Sequence, residues 1–318
     1  MKSPAVSAMS INRRIFRAAM ILTLAGVLVK VVATAKEFVV AGVFGRSDAM
    51  DAFLIAYLVP GLLVNLFSDS MNQALIPTLV RVKEVDGHLK AQNLLSNAIV
   101  WTCILATGGS LVMAVAARLS FPQIFPHFPA DKLLLTEQLF HGLLPVVLLG
   151  SIASNCTAVV NTVERFAMPA LAMVSTPLVI ILCMWSLAPW LGIWSLVYAN
   201  LTGELVRVLL MVWFMHRHGF RFDLQWYGFS PAFKEVVRQY GLVLLSGLVA
   251  SGGLLVDQAM AATLSSGSVS TLVYANRFVG VVLNLLAGIK CPQPIRNRAH
   301  AGSQVLSGSK RVRVWIWS

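Results

Sequence analysis

Lys30, Lys36 and Glu37 lie inside one long apolar run, and Asp51 and Asp69 mark the mouth and the interior of the next. An ionised side chain at the centre of a bilayer costs roughly 2.5–3.5 kcal/mol on insertion scales. Such groups face a wet cavity, a partner charge or a charged ligand rather than acyl chains. On a helix Lys30 and Glu37 share nearly one face, about 10 Å apart. That is too far for a direct pair within the helix, and a bound anion or a residue of a neighbouring helix could bridge them. Lys36 points roughly 120° away from Lys30, where its stem can snorkel to the outer surface beside Glu37.

Further along, Arg277 follows Tyr274, Ala275 and Asn276 in another apolar run. A guanidinium offers five fixed donors suited to phosphate oxygens; the alternative is a structural pair with Asp257 or another buried acid. Glu204 and Arg207 stand three residues apart on a predicted helix and neutralise each other. No Gly-rich phosphate loop followed by Lys-Ser/Thr occurs, so the chain encodes no nucleotide engine. It also lacks the acidic or histidine clusters with which membrane-embedded enzymes hold a metal or a base, and an enzyme is not expected. Cys103, Cys156, Cys183 and Cys291 have no ligand-like spacing, so neither a disulfide framework nor a metal or other cofactor is expected. His216 and His218 flank Arg217 at a predicted helix end and read as a cationic cap.

The elements that carry these charges are membrane helices. The 318 residues are 57% hydrophobic and only 12% charged, with mean hydropathy +0.76, against about 25% charged in soluble domains. Apolar runs longer than the roughly 20 residues that span a bilayer recur along most of the chain. Backbone groups in lipid must be satisfied internally, and the alternation of barrel strands is absent, so the runs are helices. The expected fold is an all-α polytopic membrane bundle of about eight transmembrane helices: an N-terminal lobe plus the start of a second lobe. The net charge of +12 reflects basic residues at helix ends, and nucleic acid is not an expected partner. Ala33-Thr34-Ala35 resembles a signal-peptidase site, but Lys30 interrupts its approach and apolar sequence resumes at Phe38, which favours an uncleaved first helix.

The spans are placed at 18–44, 52–79, 94–117, 139–160, 168–187, 193–215, 241–264 and 272–289, with Pro177 as a kink in the fifth. They divide the chain into a cytoplasmic N-terminus (1–17), a six-helix bundle (18–217), an amphipathic connector (218–240), the first two helices of a second bundle (241–289) and a basic tail (290–318). With the N-terminus inside, the segments between Phe44 and Ala52, Ala117 and Leu139, and Leu187 and Ile193 face out and hold only Arg46, Arg118 and Lys132 among Lys and Arg. Eighteen others fall on the cytoplasmic side, as the positive-inside rule requires, and the remaining four, Lys30, Lys36, Arg207 and Arg277, lie inside spans. The tail has no acidic residue and no run able to span; it reads as a lipid-touching basic segment or as the product of a reading-frame change or truncation. A faint echo between 41–60 and 261–280 suggests that helix seven restarts the pattern of helix one.

Three segments carry a family resemblance: AKEFVVAGVFGRSDAMDAFLIAYLVPGLLVNLF at 35–67, GSVSTLVYANRF at 267–278 and NTVERFAMPA at 161–170. With them the chain resembles the MurJ (MviN) lipid II flippases, within the larger group of multidrug and lipid-linked oligosaccharide exporters. The resemblance implies a two-lobed inner-membrane transporter of bacteria that alternates between inward- and outward-open states around a cationic cavity. It implies a lipid-linked glycan substrate, contact with membrane lipids, and cell-envelope synthesis enzymes as candidate partners. Lys30, Lys36, Asn276 and Arg277 then become substrate-binding candidates, with Glu37, Asp51, Asp69 and Asp257 as cavity or ion-coupling acids. The sequence departs from the family pattern: lysines replace arginines at 30 and 36, Val64 and Asn65 stand where an arginine pair is expected, and Asn276 replaces an acid. A less cationic cavity keeps other polyprenyl-linked glycans open beside lipid II. The family's later helices, including the pair that grooves the lipid tail, have no counterpart. A cation-coupled exporter of amphiphiles and a non-transporting membrane protein remain alternative readings.

Overall fold

Among the residues described by the computed structural model (4–124, 129–162, 167–264 and 267–288) eight helices follow one another. They are α1 (Pro4–Phe44), α2 (Asp48–Val85), α3 (His88–Ile124), α4 (Ala130–Thr162), α5 (Ala167–Leu191), α6 (Trp194–Arg217), α7 (Pro231–Ala262) and α8 (Ser268–Gly288). Each contains most or all of one expected span, and most run past it by a turn or more. The hydrocarbon layer sets the length of the apolar stretch, not where helical hydrogen bonding stops, so α2 continues through Arg81, Lys83 and Glu84. The connector is shorter than expected for the same reason. Pro231 begins α7 and the Ser230 hydroxyl accepts from the Phe233 N–H at 3.1 Å, a local start signal that leaves only 218–230 outside a helix. Residues 125–128 of the expected outer segment between Ala117 and Leu139, Arg165 and the basic tail lie outside the described residues.

Six of the helices, α2 to α7, are long and apolar enough to cross a membrane. The chain divides into two compact units, residues 1–275 and 276–318. The first holds α1 to α7 and the opening turns of α8; the second holds the rest of α8.

Within the first unit α2 is the axis. It packs most extensively against α4, and also against α3 and α7; α4 in turn packs on α6 and α3, α6 on α5, and α1 lies along α5. Leu75 and Leu79 of α2, Leu95 and Ile99 of α3, and Leu139 and Leu143 of α4 are fully buried between them. Leu24, Leu28, Val31 and Phe38 of α1 are exposed; their spacing by three, four and seven residues makes one apolar stripe. Exposed apolar side chains on α3, α5, α6 and α7 complete a surface that belongs against lipid. Many hydroxyls inside the helices bond back to the preceding turn, as Thr78 does to the Ala74 carbonyl, Thr102 to Ala98 and Ser151 to Val147, which satisfies them within their own helix.

Small residues set how closely the helices approach, as is usual where no hydrophobic drive separates helix from lipid. A Cβ on Gly150 of α4 would lie 2.6 Å from a methyl of Val64 on α2, and one on Gly203 of α6 would meet the Thr176 backbone of α5 at 3.2 Å. Val64 therefore points into the α2–α4 seam. Gly150→Ala is expected to destabilise the protein by about 1–3 kcal/mol through overpacking. Val64→Ala in the same chain should restore most of the loss, read as the melting temperature of the detergent-solubilised protein; a double variant no more stable than the single one contradicts this packing.

Candidate functional site

The segment Gly45–Asp51 turns α1 into α2. The Ser47 hydroxyl caps α2 by accepting from the Met50 N–H at 3.2 Å. Asp48 and Asp51 follow in the first turn, where the positive end of the helix dipole favours carboxylates. Asp51 is 1% exposed, and its side chain serves a second helix as well. One carboxylate oxygen accepts from the Gly267 N–H at 2.7 Å and the other from the Ser270 N–H at 2.9 Å. These amides open α8, so an acid distant in sequence acts as its N-cap. Gly267 has φ +80°, and a Cβ there would fall 3.1 Å from Arg46, so the turn needs glycine both for its left-handed backbone and for space.

Lys132, at the start of α4, completes the clasp. Its ammonium is 2.7 Å from Asp48 Oδ1 and 3.5 Å from Asp51 Oδ2. Three helix starts, those of α2, α4 and α8, are thus joined at one end of the first unit. Two N–H donors and an ammonium answer the buried carboxylate, the condition under which burying a charge is tolerable. Sequence reading singled out Asp51 but not its partners. Gly267 followed by two nearby serines was a visible turn-and-cap signal, whereas nothing local marked Lys132 for this contact.

Beside the clasp lies a cleft of about 770 Å³ lined by Arg46, Asp257, Thr263, Ser268 and Thr271 with apolar neighbours from α7 and α8. Asp257, expected as a cavity acid, is exposed in this cleft. It shares the cleft with Arg46, a residue the sequence reading left in an outer loop.

The charges of α1 stand apart from the clasp. Lys36 and Glu37 pair at 2.6 Å, each about a fifth exposed, which is the neighbour contact foreseen for Lys36. Lys30 is exposed on α1. On α2, Asp69 and Asn65 are exposed one turn apart, whereas Val64, which stands where the resemblance expected an arginine, is buried against Gly150. Asn276 and Arg277 lie on α8 in the second unit. Glu204 and Arg207 pair at 2.9 Å on α6 as their spacing foretold, with Thr176 of α5 close to the carboxylate. Among the described residues no group of three or more His, Cys, Asp or Glu could hold a metal ion.

Comparison with known proteins places this arrangement. A family model described as "Lipid II flippase MurJ" matches residues 40–289. The chain belongs to the lipid II flippase MurJ family. Its relatives include a probable lipid II flippase MurJ of Buchnera aphidicola, 24% identical over 258 residues, which are 79% of this chain and 50% of that protein. Another is the lipid II flippase MurJ of Burkholderia cenocepacia, 26% identical over 287 residues, 83% of this chain and 53% of that protein. The chain spans about half the length of the curated relatives it matches. Among solved structures, a lipid II flippase MurJ in an inward closed conformation superposes with TM-score 0.68 at 20% identity, covering 82% of this chain and 54% of that one. A MOP superfamily transporter from Pyrococcus furiosus gives 0.67 at 17%, covering 86% and 61%. These likenesses show the fold, a multi-pass bundle of membrane helices. The MurJ match includes Asp51, Asp69, Asp257, Asn276 and Arg277 and begins after Lys30, Lys36 and Glu37.

The clasp makes a sharp prediction. Asp51→Ala leaves the Gly267 and Ser270 N–H groups and the Lys132 ammonium without their buried acceptor and is expected to cost about 1–3 kcal/mol. Hydrogen exchange at residues 267–270 should accelerate. Asp48→Ala, whose side chain is 63% exposed, should cost no more than about 1 kcal/mol and leave that exchange unchanged. Equal effects of the two substitutions would refute the capping role.

Proposed function

We propose that the chain works in a flippase that carries a polyprenyl-pyrophosphate-linked glycan precursor of the lipid II type from the cytoplasmic to the outer leaflet, without chemistry on the substrate. The observation that carries this reading is the match to MurJ over residues 40–289. The charges of α1 and α8 add to it. Lys30 sits with the Lys36–Glu37 pair on an apolar helix that lies along α5, a costly placement for Lys30 unless a polar cavity or an anionic ligand answers it. Lys30, Lys36 and Arg277 would neutralise the pyrophosphate as it crosses, and Asn276 would add a neutral donor beside it. The N-terminus would be cytoplasmic, and the Asp51 clasp would then stand at the outer end. There it would hold the start of α8 against α2 and α4 while that side is closed and release it when the side opens. Glu37 and Asp69 would set the cavity's charge balance.

With a family C-terminal half supplied so that both lobes are present, the chain should restore growth to a flippase-depleted bacterium. Lys30→Ala or Arg277→Ala should abolish that rescue at unchanged membrane levels. Normal growth with both substitutions together would remove the cationic-cavity reading.

The position of Asp257 in an open cleft with Arg46 and three hydroxyl side chains favours a second reading, transport coupled to a cation held by that acid. In that case Asp257→Asn abolishes transport while Lys30→Ala leaves it intact, as measured by substrate movement in proteoliposomes with and without a cation gradient. The reverse pattern would exclude this reading.

A further inference from the structure

Residues 218–230 run from α6 to α7 without helix, yet side chains of α3 hold their backbone firmly. Phe220 is fully buried, with the His88 ring 4.5 Å away and the Lys83 ammonium 5.5 Å over its face. Gln92 grips Arg221 at both backbone groups, accepting its N–H at 3.0 Å and donating to its carbonyl at 2.6 Å. Ser96 donates to the Asp223 carbonyl at 2.7 Å. Asn97 repeats the grip further on, accepting from the Tyr227 N–H and donating to the Gly228 carbonyl, both at 2.7 Å. A stretch clamped this way presents a defined outer face.

That face is aromatic and cationic. Trp226 and Phe229 are 42% and 61% exposed and stack edge-on at 5.2 Å over buried Phe233. Arg217, Arg221, Lys234 and Arg238 are all exposed along the same segment and the first turns of α7. Lys234 and Arg238, one turn apart, line a cleft of about 310 Å³ with Pro231 and Glu235. Of the nearby acids, Glu84 is exposed, Glu235 pairs with Arg81, Asp86 pairs with Lys90 at 3.0 Å, and Asp223 accepts from the Tyr227 hydroxyl at 3.0 Å. That hydrogen bond pushes the phenol above its ordinary pKa, so Tyr227 stays neutral. This surface gathers the end of α6, the start of α7 and the α2–α3 turn, the end of the bundle opposite the Asp51 clasp. In helices long enough to cross a bilayer, such an end meets the headgroup layer. Aromatic rings with an apolar body favour that boundary, and Lys and Arg there gain from anionic lipid.

We propose that the connector and the first turns of α7 form a docking face for anionic phospholipid headgroups. Trp226 and Phe229 dip to the acyl boundary, and Lys234 and Arg238 engage the phosphodiesters. The face is independent of the flippase reading, because it needs only the fold and these side chains.

The full chain in detergent is titrated with phosphatidylglycerol or phosphatidylcholine, and bound lipid is read by native mass spectrometry. The parent should prefer phosphatidylglycerol. Neutralising Lys234 and Arg238 together as Lys234→Gln and Arg238→Gln should weaken that lipid by about fivefold per cation and leave phosphatidylcholine unchanged. Lys234→Arg with Arg238→Lys should retain the preference, and Trp226→Ala with Phe229→Ala should weaken both lipids alike. Neutralising Lys310, Arg311 and Arg313 of the tail should change nothing. The proposal is overturned by equal affinity of the parent for the two lipids, by a preference that survives the loss of Lys234 and Arg238, or by a preference that vanishes with the tail charges instead. It is also overturned if Trp226 is as open to acrylamide quenching in phosphatidylglycerol membranes as in detergent alone, which would give the face to a protein partner.

Discussion

A charge placed in hydrocarbon must be answered by another group at once, and that constraint organises this molecule more than any single apolar contact. Asp51 is answered by two backbone N–H groups and Lys132, Glu204 by Arg207, and Glu37 by Lys36. These answers differ in reach. The last two are made within one helix by residues close in sequence. The Asp51 answer draws α2, α4 and α8 to one point, so the same electrostatic requirement becomes a joint between helices far apart in the chain. A joint of hydrogen bonds and ion pairs is directional and can exist in two states, whereas the apolar seams around it are close-packed and resist partial opening.

The opposite end shows the same physics with a different solvent. There the connector cannot rely on helical hydrogen bonds, and Gln92, Ser96 and Asn97 supply the partners its backbone lacks. Between the two ends, α2 and α4 approach closely because Gly150 leaves room for Val64. The first unit is therefore a bundle pinned by polar contacts at its ends and by small residues in its middle, the arrangement expected where lipid and helix side chains are equally apolar.

Much of this was legible along the chain. The long apolar runs marked all eight helices, and the i, i+3 spacing of Glu204 and Arg207 and the adjacency of Lys36 and Glu37 foretold the pairs that form. Segments 35–67 and 267–278 carried the family. Local signals of this kind survive folding because helical geometry alone brings such residues together. The helix ends were read too short at α2 and α7, because apolar content reports the hydrocarbon layer and not the capping groups that stop a helix. Val64 and Asn65 were read only as standing where the family has an arginine pair; in the structure Val64 packs on Gly150 and Asn65 is exposed.

The sequence by itself determined that this is a helical membrane protein of the lipid II flippase kind with ionised groups set into its spans, because hydropathy, helical period and motif are properties of neighbours in the chain. Only the tertiary structure decided that Asp51, read from the sequence as marking the mouth of α2, caps α8, that Lys132 joins it, and that the aromatic connector is clamped with Trp226 and Phe229 outward. Those facts depend on which helix ends meet in space, and no spacing along one helix encodes a contact made by another more than two hundred residues away.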